Sequence, residues 1–228
     1  MKEVVEKFSF DATQIIVNSD LEGFDIILDK QYDLMLDIIE KRNLYNYGID
    51  NLIRNMVLSL VDEINEFKLM FDRKEKKVDK VVEETFELID ALHFIIQLEF
   101  LCYIKSQNYT FLQLIKDLSL KDEIINETKN VFKQPLFKLN NNLYIEKTFD
   151  DTEIYEKLMM QVSEILEYIN WKHWKTYTNF EYKKLSNQID KFLDLLFESL
   201  SYYIDKDDIV LYYVIKNLEN FDRQKRNY

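Results

Sequence analysis

Two stretches of the sequence decide the fold, LSLVDEINEF at 58–67 and VEETFELIDALHF at 82–94. In both, apolar residues recur at intervals of three and four, the spacing of an amphipathic α-helix. Each stretch also carries two carboxylates three residues apart, and residues at that spacing project from nearly the same face of a helix. The two pairs are Glu63 with Glu66 and Glu87 with Asp90.

The same periodicity extends over much of the chain of 228 residues. It predicts six helices, at 24–39, 52–71, 78–104, 154–169, 185–204 and 209–221. The chain has only two glycines and one proline, whereas a β-rich or Rossmann-type fold needs many of both at its turns. We therefore predict an all-α fold.

We expect one catalytic domain, residues 1–228, because no break is long or biased enough to be a linker. Its core comprises 24–104 and 152–224, and the weakly patterned region 105–150 is an accessory segment or a lid. A helix pair near 55–100 resembles another near 155–200, which favours a bundle of two related helical hairpins. A single sequence leaves open whether the pairs arose by duplication.

Charge and composition restrict the partners. A formal net charge of −12 would repel a polyanion, so nucleic-acid binding is disfavoured. No uncharged apolar stretch reaches the length of a membrane span, and the first residues lack the apolar block of a signal peptide. The single cysteine, Cys102, cannot form an internal disulfide. We expect a soluble, cytoplasmic protein.

The basic break RKEKK at 73–77 separates the two carboxylate helices, so an antiparallel hairpin would bring all four acids within a few ångströms. Like charges that close oppose folding unless a cation binds. Sulfur-free oxygen ligation suits Mg²⁺ or Mn²⁺. The alternative is that these acids are solvated helix faces, which are common in acidic proteins. The apolar residues Val61, Ile64, Ile89 and Leu92 interleave with them and favour an inward orientation.

The order of motifs in this region resembles the all-α nucleotide pyrophosphatase superfamily, in particular its dimeric dUTPases. The order is ExxE, a break, and ExxD followed by His93 and Phe94. KNLENFDRQKRNY at 216–228 is similar to the signature that ends the catalytic region in that family, and KQYDLMLDII at 30–39 is similar to its N-terminal glutamine helix. INWKHWK at 169–175 also resembles a string of the family, but there it follows the first glutamate pair.

The resemblance implies a homodimer that hydrolyses dUTP, and dUDP as a further candidate, to dUMP with Mg²⁺. The metal ligands would be Glu63, Glu66, Glu87 and Asp90. Glu66 would also orient or deprotonate the attacking water. Gln31 would hydrogen-bond the uracil edge and Phe94 would stack on it.

The resemblance further implies a group of residues that bind the nucleotide. These are Lys74, Lys77, Lys216, Asn220, Arg223 and Tyr228. Whether Trp171, Trp174 and Lys175 reach the site or pack the second hairpin is open, because their string is displaced. Met35 stands where relatives carry a polar residue, and Asn227 replaces the usual glycine before the last tyrosine; these departures bear on base selection and on Tyr228.

Two alternatives to a dUTPase remain. One keeps the metal site but changes the base, giving a dCTP-directed or general nucleotide pyrophosphohydrolase. The other is a non-catalytic helical interaction protein descended from such an enzyme. Each residue also has a plain structural interpretation: His93 and Phe94 as core residues, and the cations at 216–225 as partners of their own helix dipole.

Overall fold

The computed structural model describes residues 2–72, 80–133, 150–169 and 180–226. Within these ranges the chain forms helices and no strands, which confirms the predicted all-α class. A 3₁₀ turn occupies Leu44–Asn46. The helices are α1 (Lys2–Val17), α2 (Phe24–Lys41), α3 (Ile49–Asp72), α4 (Lys80–Ser106), α5 (Phe111–Lys116), α6 (Ser119–Val131), α7 (Asp151–Glu167), α8 (Tyr182–Ser201) and α9 (Lys206–Lys225).

All six predicted helices are present, as α2, α3, α4, α7, α8 and α9. The weakly patterned region splits into α5 and α6, and a capping box explains where α5 begins. The Thr110 hydroxyl accepts a hydrogen bond from the Gln113 backbone, and the Gln113 side chain accepts one from the Thr110 backbone. A second capping box, between Asp150 and Glu153, begins α7. These side chains satisfy N–H groups that a helix start leaves unpaired.

Helices α3 and α4 pack along their length and run antiparallel. Lys105, near the end of α4, forms an ion pair with Asp50, at the start of α3, while Glu63 and Glu87 meet near the other end. Helices α7 and α8 also pack together. There the hydroxyl of Tyr203, just beyond α8, donates to Asp151, the first residue of α7, at 2.6 Å.

The two helix pairs form a bundle, because α3 contacts α7 and α4 contacts α8. The Tyr155 hydroxyl on α7 donates to Asn65 on α3 at 3.1 Å. The Phe67 and Tyr203 rings meet edge to face, with centroids 6.2 Å apart. Relatedness of the two pairs remains a prediction.

Helix α4 is the central helix of the fold. It packs against α2, α3, α6, α8 and α9, and every residue from 91 to 104 is buried except Phe94, which is partly buried. Polar side chains on α4 are therefore held in the interior, where they need partners.

Outside the bundle, α2 packs on α9 and α4, and α1 packs on α9. Helices α5 and α6 both contact α2, and α6 also contacts α4 and α8. Residues 134–149, the rest of the predicted accessory region, lie outside the described residues, so the lid stays a prediction. In the part of the chain that the structure describes, no helix has the length and apolar character to cross a membrane.

Candidate metal centre

Three of the four predicted ligands come together in the structure. Glu63, Glu66 and Glu87 each offer a carboxylate oxygen, and these oxygens all lie within 4.8 Å of one another. We call these residues the acidic triad. Two come from one turn of α3 and the third from α4, so the antiparallel pairing of the two helices builds the cluster.

The triad lies at the boundary between core and solvent. The side chain of Glu87 is buried with 7% exposure because α4 is central, whereas Glu63 is partly buried and Glu66 is exposed. The carboxylate helix faces are therefore only partly inward. The cluster opens to solvent on the Glu66 side, by which a ligand could reach it.

Burial and repulsion between like charges raise the pKa values of two triad residues, Glu63 and Glu87. Desolvation raises the pKa of Glu63 to about 8, with further increases from the charges of Asp90, Glu87 and Glu66. Desolvation also raises the pKa of Glu87 to about 7, and the charges of Asp90 and Glu66 add to it. A hydrogen bond from Glu63 acts in the opposite direction on Glu87. Binding of a divalent cation would relieve this repulsion and release protons.

The donor set of the triad fits a hard divalent cation. Around Mg²⁺, at about 2.1 Å from each oxygen, neighbouring ligand oxygens are roughly 3 Å apart and opposite ones about 4.2 Å apart. Oxygens within 4.8 Å of one another need only small side-chain rotations to reach that geometry. Three carboxylates without sulfur or imidazole favour Mg²⁺ or Mn²⁺ over Zn²⁺.

Asp90, the fourth predicted ligand, is instead held by a lysine. The Lys216 ammonium lies 2.9 Å from an Asp90 carboxylate oxygen and 3.0 Å from one of Glu219. Burial raises the pKa of Asp90 despite the opposing effect of Lys216. Asp90 still acts electrostatically on Glu63 and Glu87. It therefore borders the triad without joining it.

Lys216 differs most from its predicted role as a phosphate ligand. Its side chain is only 3% exposed, and its charge lowers the pKa of both Glu63 and Glu87. The structure thus makes Lys216 an internal counter-charge for the acidic residues around it. An ammonium bonded to two carboxylates would have to leave them to bind a phosphate.

The rest of the predicted C-terminal group is closer to solvent. Arg223 is exposed and pairs with Glu219 at 2.8 Å. Asn220 is partly buried. Asn217, which belongs to the same sequence signature, donates to the Lys30 backbone oxygen at 3.2 Å and so joins α9 to α2. Arg223 is the cation of this group that is placed to meet an incoming anion.

Gln31, predicted to read a base, lies in the interior of the protein with 0% exposure. Its Oε1 accepts from the Tyr213 hydroxyl and lies 2.7 Å from Nδ1 of His93. Its Nε2 donates to Gln97 at 3.1 Å. The amide is therefore engaged by three partners, and contact with a base would require this network to open.

His93 is a packed core residue, as its plain structural interpretation predicts. Its ring stacks on Tyr213 with centroids 3.9 Å apart, and burial lowers its pKa to about 3. A neutral imidazole next to an acceptor oxygen carries its proton on Nδ1. Phe94 is partly buried against the core, and its predicted stacking on a base stays a prediction.

Six predicted site residues lie outside the described residues, in 73–79, 170–179 and 227–228. They are Lys74, Lys77, Trp171, Trp174, Lys175 and Tyr228.

Two acidic groups, one partly buried and one fully buried, are absent from the sequence predictions. Glu219 pairs with Lys216 and Arg223, and its spacing of three and four residues from these cations is the signal that could have found it. Glu99 is fully buried on α4. Its signal is a lone acid within the apolar run IIQLEFLCYI at 95–104.

In comparisons with known proteins, no protein-family model, no curated protein and no solved structure matches the chain. The geometry of the site is thus the observation from which a function can be inferred.

Proposed function

We propose that this protein is a divalent-metal-dependent nucleotide pyrophosphohydrolase that converts dUTP, with dUDP as a further candidate substrate, to dUMP as a cytoplasmic homodimer. One observation carries the metal-dependent part of the proposal, and the substrate is what the sequence resemblance to dimeric dUTPases implies. Three carboxylate oxygens from two antiparallel helices lie within 4.8 Å of one another at an opening to solvent. Carboxylates this close repel one another and lower the stability of the fold. A bound cation would remove that cost.

In this proposal Glu63, Glu66 and Glu87 hold Mg²⁺ or Mn²⁺, and Asp90 supports them from its pair with Lys216. The bound ion would neutralise phosphate oxygens and lower the pKa of a coordinated water. Glu66, the exposed member of the triad, would orient the attacking water and accept its proton.

In this proposal the two cations of α9, Lys216 and Arg223, have different roles. Lys216 stays in its ion pairs and offsets the negative charge of the triad, so that a polyanion is repelled less. Arg223 offers a planar set of donors suited to phosphate oxygens, and its partner Glu219 retains Lys216 when Arg223 turns to the ligand.

The structure also favours a second candidate, an enzyme of the same reaction with a different or broader base preference. Gln31 is engaged by His93, Tyr213 and Gln97, and Met35 is buried with 0% exposure. Neither side chain is at a surface where it could select uracil. A panel of deoxynucleoside and nucleoside triphosphates separates the candidates, because only the dUTPase proposal requires dUTP to stand out.

The test is pyrophosphate release with Mg²⁺ by the wild-type protein, Glu66→Gln and Glu164→Gln. Glu66→Gln keeps the size of the side chain but removes its charge. We expect its turnover to fall more than about 100-fold, since even partners outside a metal's ligand sphere are worth about 10- to 100-fold. Glu164 is exposed on α7, and its substitution should leave turnover unchanged. Robust turnover unaffected in Glu66→Gln would refute the site assignment.

The remaining alternative is a non-catalytic helical interaction protein. Calorimetric titration with Mn²⁺, with and without a nonhydrolysable dUTP analogue, distinguishes it. Heat of binding that is lost in Glu63→Gln and Glu87→Gln supports the metal centre. No detectable binding under either condition, together with no turnover of any nucleotide, supports the interaction protein.

A further inference from the structure

Glu99 forms a second acidic feature, remote from the triad. It lies twelve positions after Glu87 on α4, about 18 Å along the helix axis at about 1.5 Å per residue. Its side chain is fully buried with 0% exposure. Acidic residues are rarely buried so completely unless they are paired, so this carboxyl group needs a physical explanation.

The hydrogen bonds of Glu99 are unevenly divided between its two oxygens. Oε1 accepts from the Tyr182 hydroxyl at 2.8 Å and from the Ser186 hydroxyl at 2.7 Å. Oε2 is buried and has no hydrogen-bond partner within the described residues. Both donors lie in the first turns of α8, so the carboxyl group of Glu99 joins α4 to the start of that helix.

Among the described residues, the charged groups that act on Glu99 from neighbouring helices are acids. They are Glu127 on α6 and Asp190 on α8. Tyr182, the titratable donor, has its own pKa raised by burial and by the charge of Glu99. An ionised Glu99 would therefore meet desolvation and two like charges, with two hydroxyl donors to offset them.

The remaining titratable neighbours lie on α4 and α3. Burial and the charge of Glu99 raise the pKa of the Cys102 thiol, which stays neutral. Lys105 is paired with Asp50 of α3, and both influence Cys102. This lysine is already matched by a carboxylate, so it does not serve as a dedicated partner for Glu99.

Protonation of the Glu99 carboxylate removes the cost of burying its charge. A carboxylic acid can keep both hydroxyl bonds on Oε1 and carry its proton on Oε2. A buried neutral hydroxyl without a partner costs less than a buried charge. In agreement, burial raises the pKa of Glu99 to about 7, even though Ser186 and Tyr182 act to lower it.

We propose that Glu99 is a proton-operated contact between α4 and α8: its protonated carboxyl group holds the first turns of α8 against α4, and loss of that proton to water releases them. Ionisation favours entry of water at the Tyr182 and Ser186 end of α8. Because α8 also contacts α7 and α6, the opening is local, and the apolar remainder of the bundle stays packed.

The direction of the pH effect follows from the raised pKa. The folded state holds the Glu99 proton up to about pH 7, whereas the ordinary value is 4.5. The stability contributed by proton binding is therefore complete below about pH 4.5 and is lost as pH rises towards 7. Between pH 4.5 and 8 the ratio of unfolding constants, wild type to Glu99→Gln, should rise roughly 100-fold.

The experiment compares the wild type with Glu99→Gln and with Glu156→Gln, which makes the same change at an exposed position on α7. Urea unfolding between pH 4.5 and 8 gives the unfolding constants, and hydrogen exchange gives protection factors for 182–190. We expect wild type and Glu156→Gln to lose protection there as pH rises, while Glu99→Gln does not. Parallel pH curves for wild type and Glu99→Gln would overturn the proposal.

A second measurement keeps the proposal testable should Glu99→Gln fail to fold. Carboxyl ¹³C NMR of the glutamate-labelled wild type and of Ser186→Ala reports the titration of Glu99 directly. Removing the Ser186 donor weakens the ionised form, so the Glu99 resonance should titrate at higher pH in Ser186→Ala. A Glu99 resonance that titrates below pH 5 in the wild type would overturn the proposal.

Discussion

The charge balance at the candidate metal centre can be tested by replacing Lys216 with methionine. Methionine keeps most of the apolar stem of the side chain but removes the ammonium that lies 2.9 Å from Asp90 and 3.0 Å from Glu219. The lysine is 3% exposed, while its partners are 15% and 13% exposed. The substitution therefore leaves Asp90 without its cation beside the acidic triad, while Glu219 keeps its ion pair with Arg223.

Removing one partner of a buried ion pair costs about 3–5 kcal/mol, because the remaining charge is uncompensated. Asp90 is left unpaired here, but it retains some contact with water and can take up a proton. We therefore expect the unfolding free energy at pH 7 to fall by about 3 kcal/mol. For a chain of this size that corresponds to a decrease in Tm of roughly 6–12 °C.

Urea unfolding at pH 7 and pH 5, without metal, measures the effect. The loss should be smaller at pH 5, because Asp90 has a raised pKa and takes up a proton more readily once Lys216 is gone. Lys225→Met, at an exposed position on the same helix, should change stability by under about 0.5 kcal/mol. Adding Asp90→Asn to Lys216→Met should recover part of the loss. A loss under about 1 kcal/mol at pH 7 would refute the role of Lys216 as a buried counter-charge.

Three further predictions concern the core and the triad. Because the pKa values of Glu63 and Glu87 are raised from 4.5 to about 8 and about 7, metal-free stability should fall as pH rises from about 4.5 to 8. Saturating Mn²⁺ should flatten this fall in urea unfolding, and a metal-independent profile would count against the metal centre. Phe192→Ala should lower the unfolding free energy by about 3–5 kcal/mol, since the ring is fully buried; calorimetry showing under about 1 kcal/mol would contradict the packing. Tyr213→Phe should cost about 1–2 kcal/mol through the lost bond to Gln31, and an unchanged urea midpoint would contradict that network.

The all-α class could be predicted because helical periodicity and the scarcity of glycine and proline are local properties. Helix α1 is absent from the predicted helices. Its apolar residues Val4, Val5, Phe8 and Ala12 have helical spacing, but Phe10 is 73% exposed and interrupts the pattern. This helix is recognised as amphipathic only when the face that α9 covers is known.

The acidic triad could be predicted in part. The spacing on α3 and α4 predicted the pairing of Glu63 and Glu66 with Glu87, because these acids lie on either side of one short break. The partner of Asp90 could not be predicted in the same way. Lys216 is 126 positions further along the chain, and only the packing of α9 on α4 brings the two together.

The burial of polar residues in the interior could not be predicted from the sequence. Gln31 and Glu99 are ordinary surface residue types, so composition predicts exposure. Glu99 is buried because other helices surround α4, and Gln31 is buried because α2 packs on α4 and α9; both depend on how the helices assemble. No local sequence pattern predicts that Tyr213 donates a hydrogen bond to Gln31, or that Ser186 donates one to Glu99. These hydrogen bonds offset the cost of burying the two polar side chains.

The packing of α1 on α9 has a consequence for the order of folding. Lys7 and Asp222, 215 positions apart, form an ion pair at 2.7 Å across this contact. Closing a loop of that length costs about 5 kcal/mol in chain entropy, so this contact gains little until the intervening helices have shortened the path. We expect α3, α4, α7 and α8 to associate first, with α1 docking late. The contact of α1 with α9, the helix that carries Lys216, would thus form only at the end of folding.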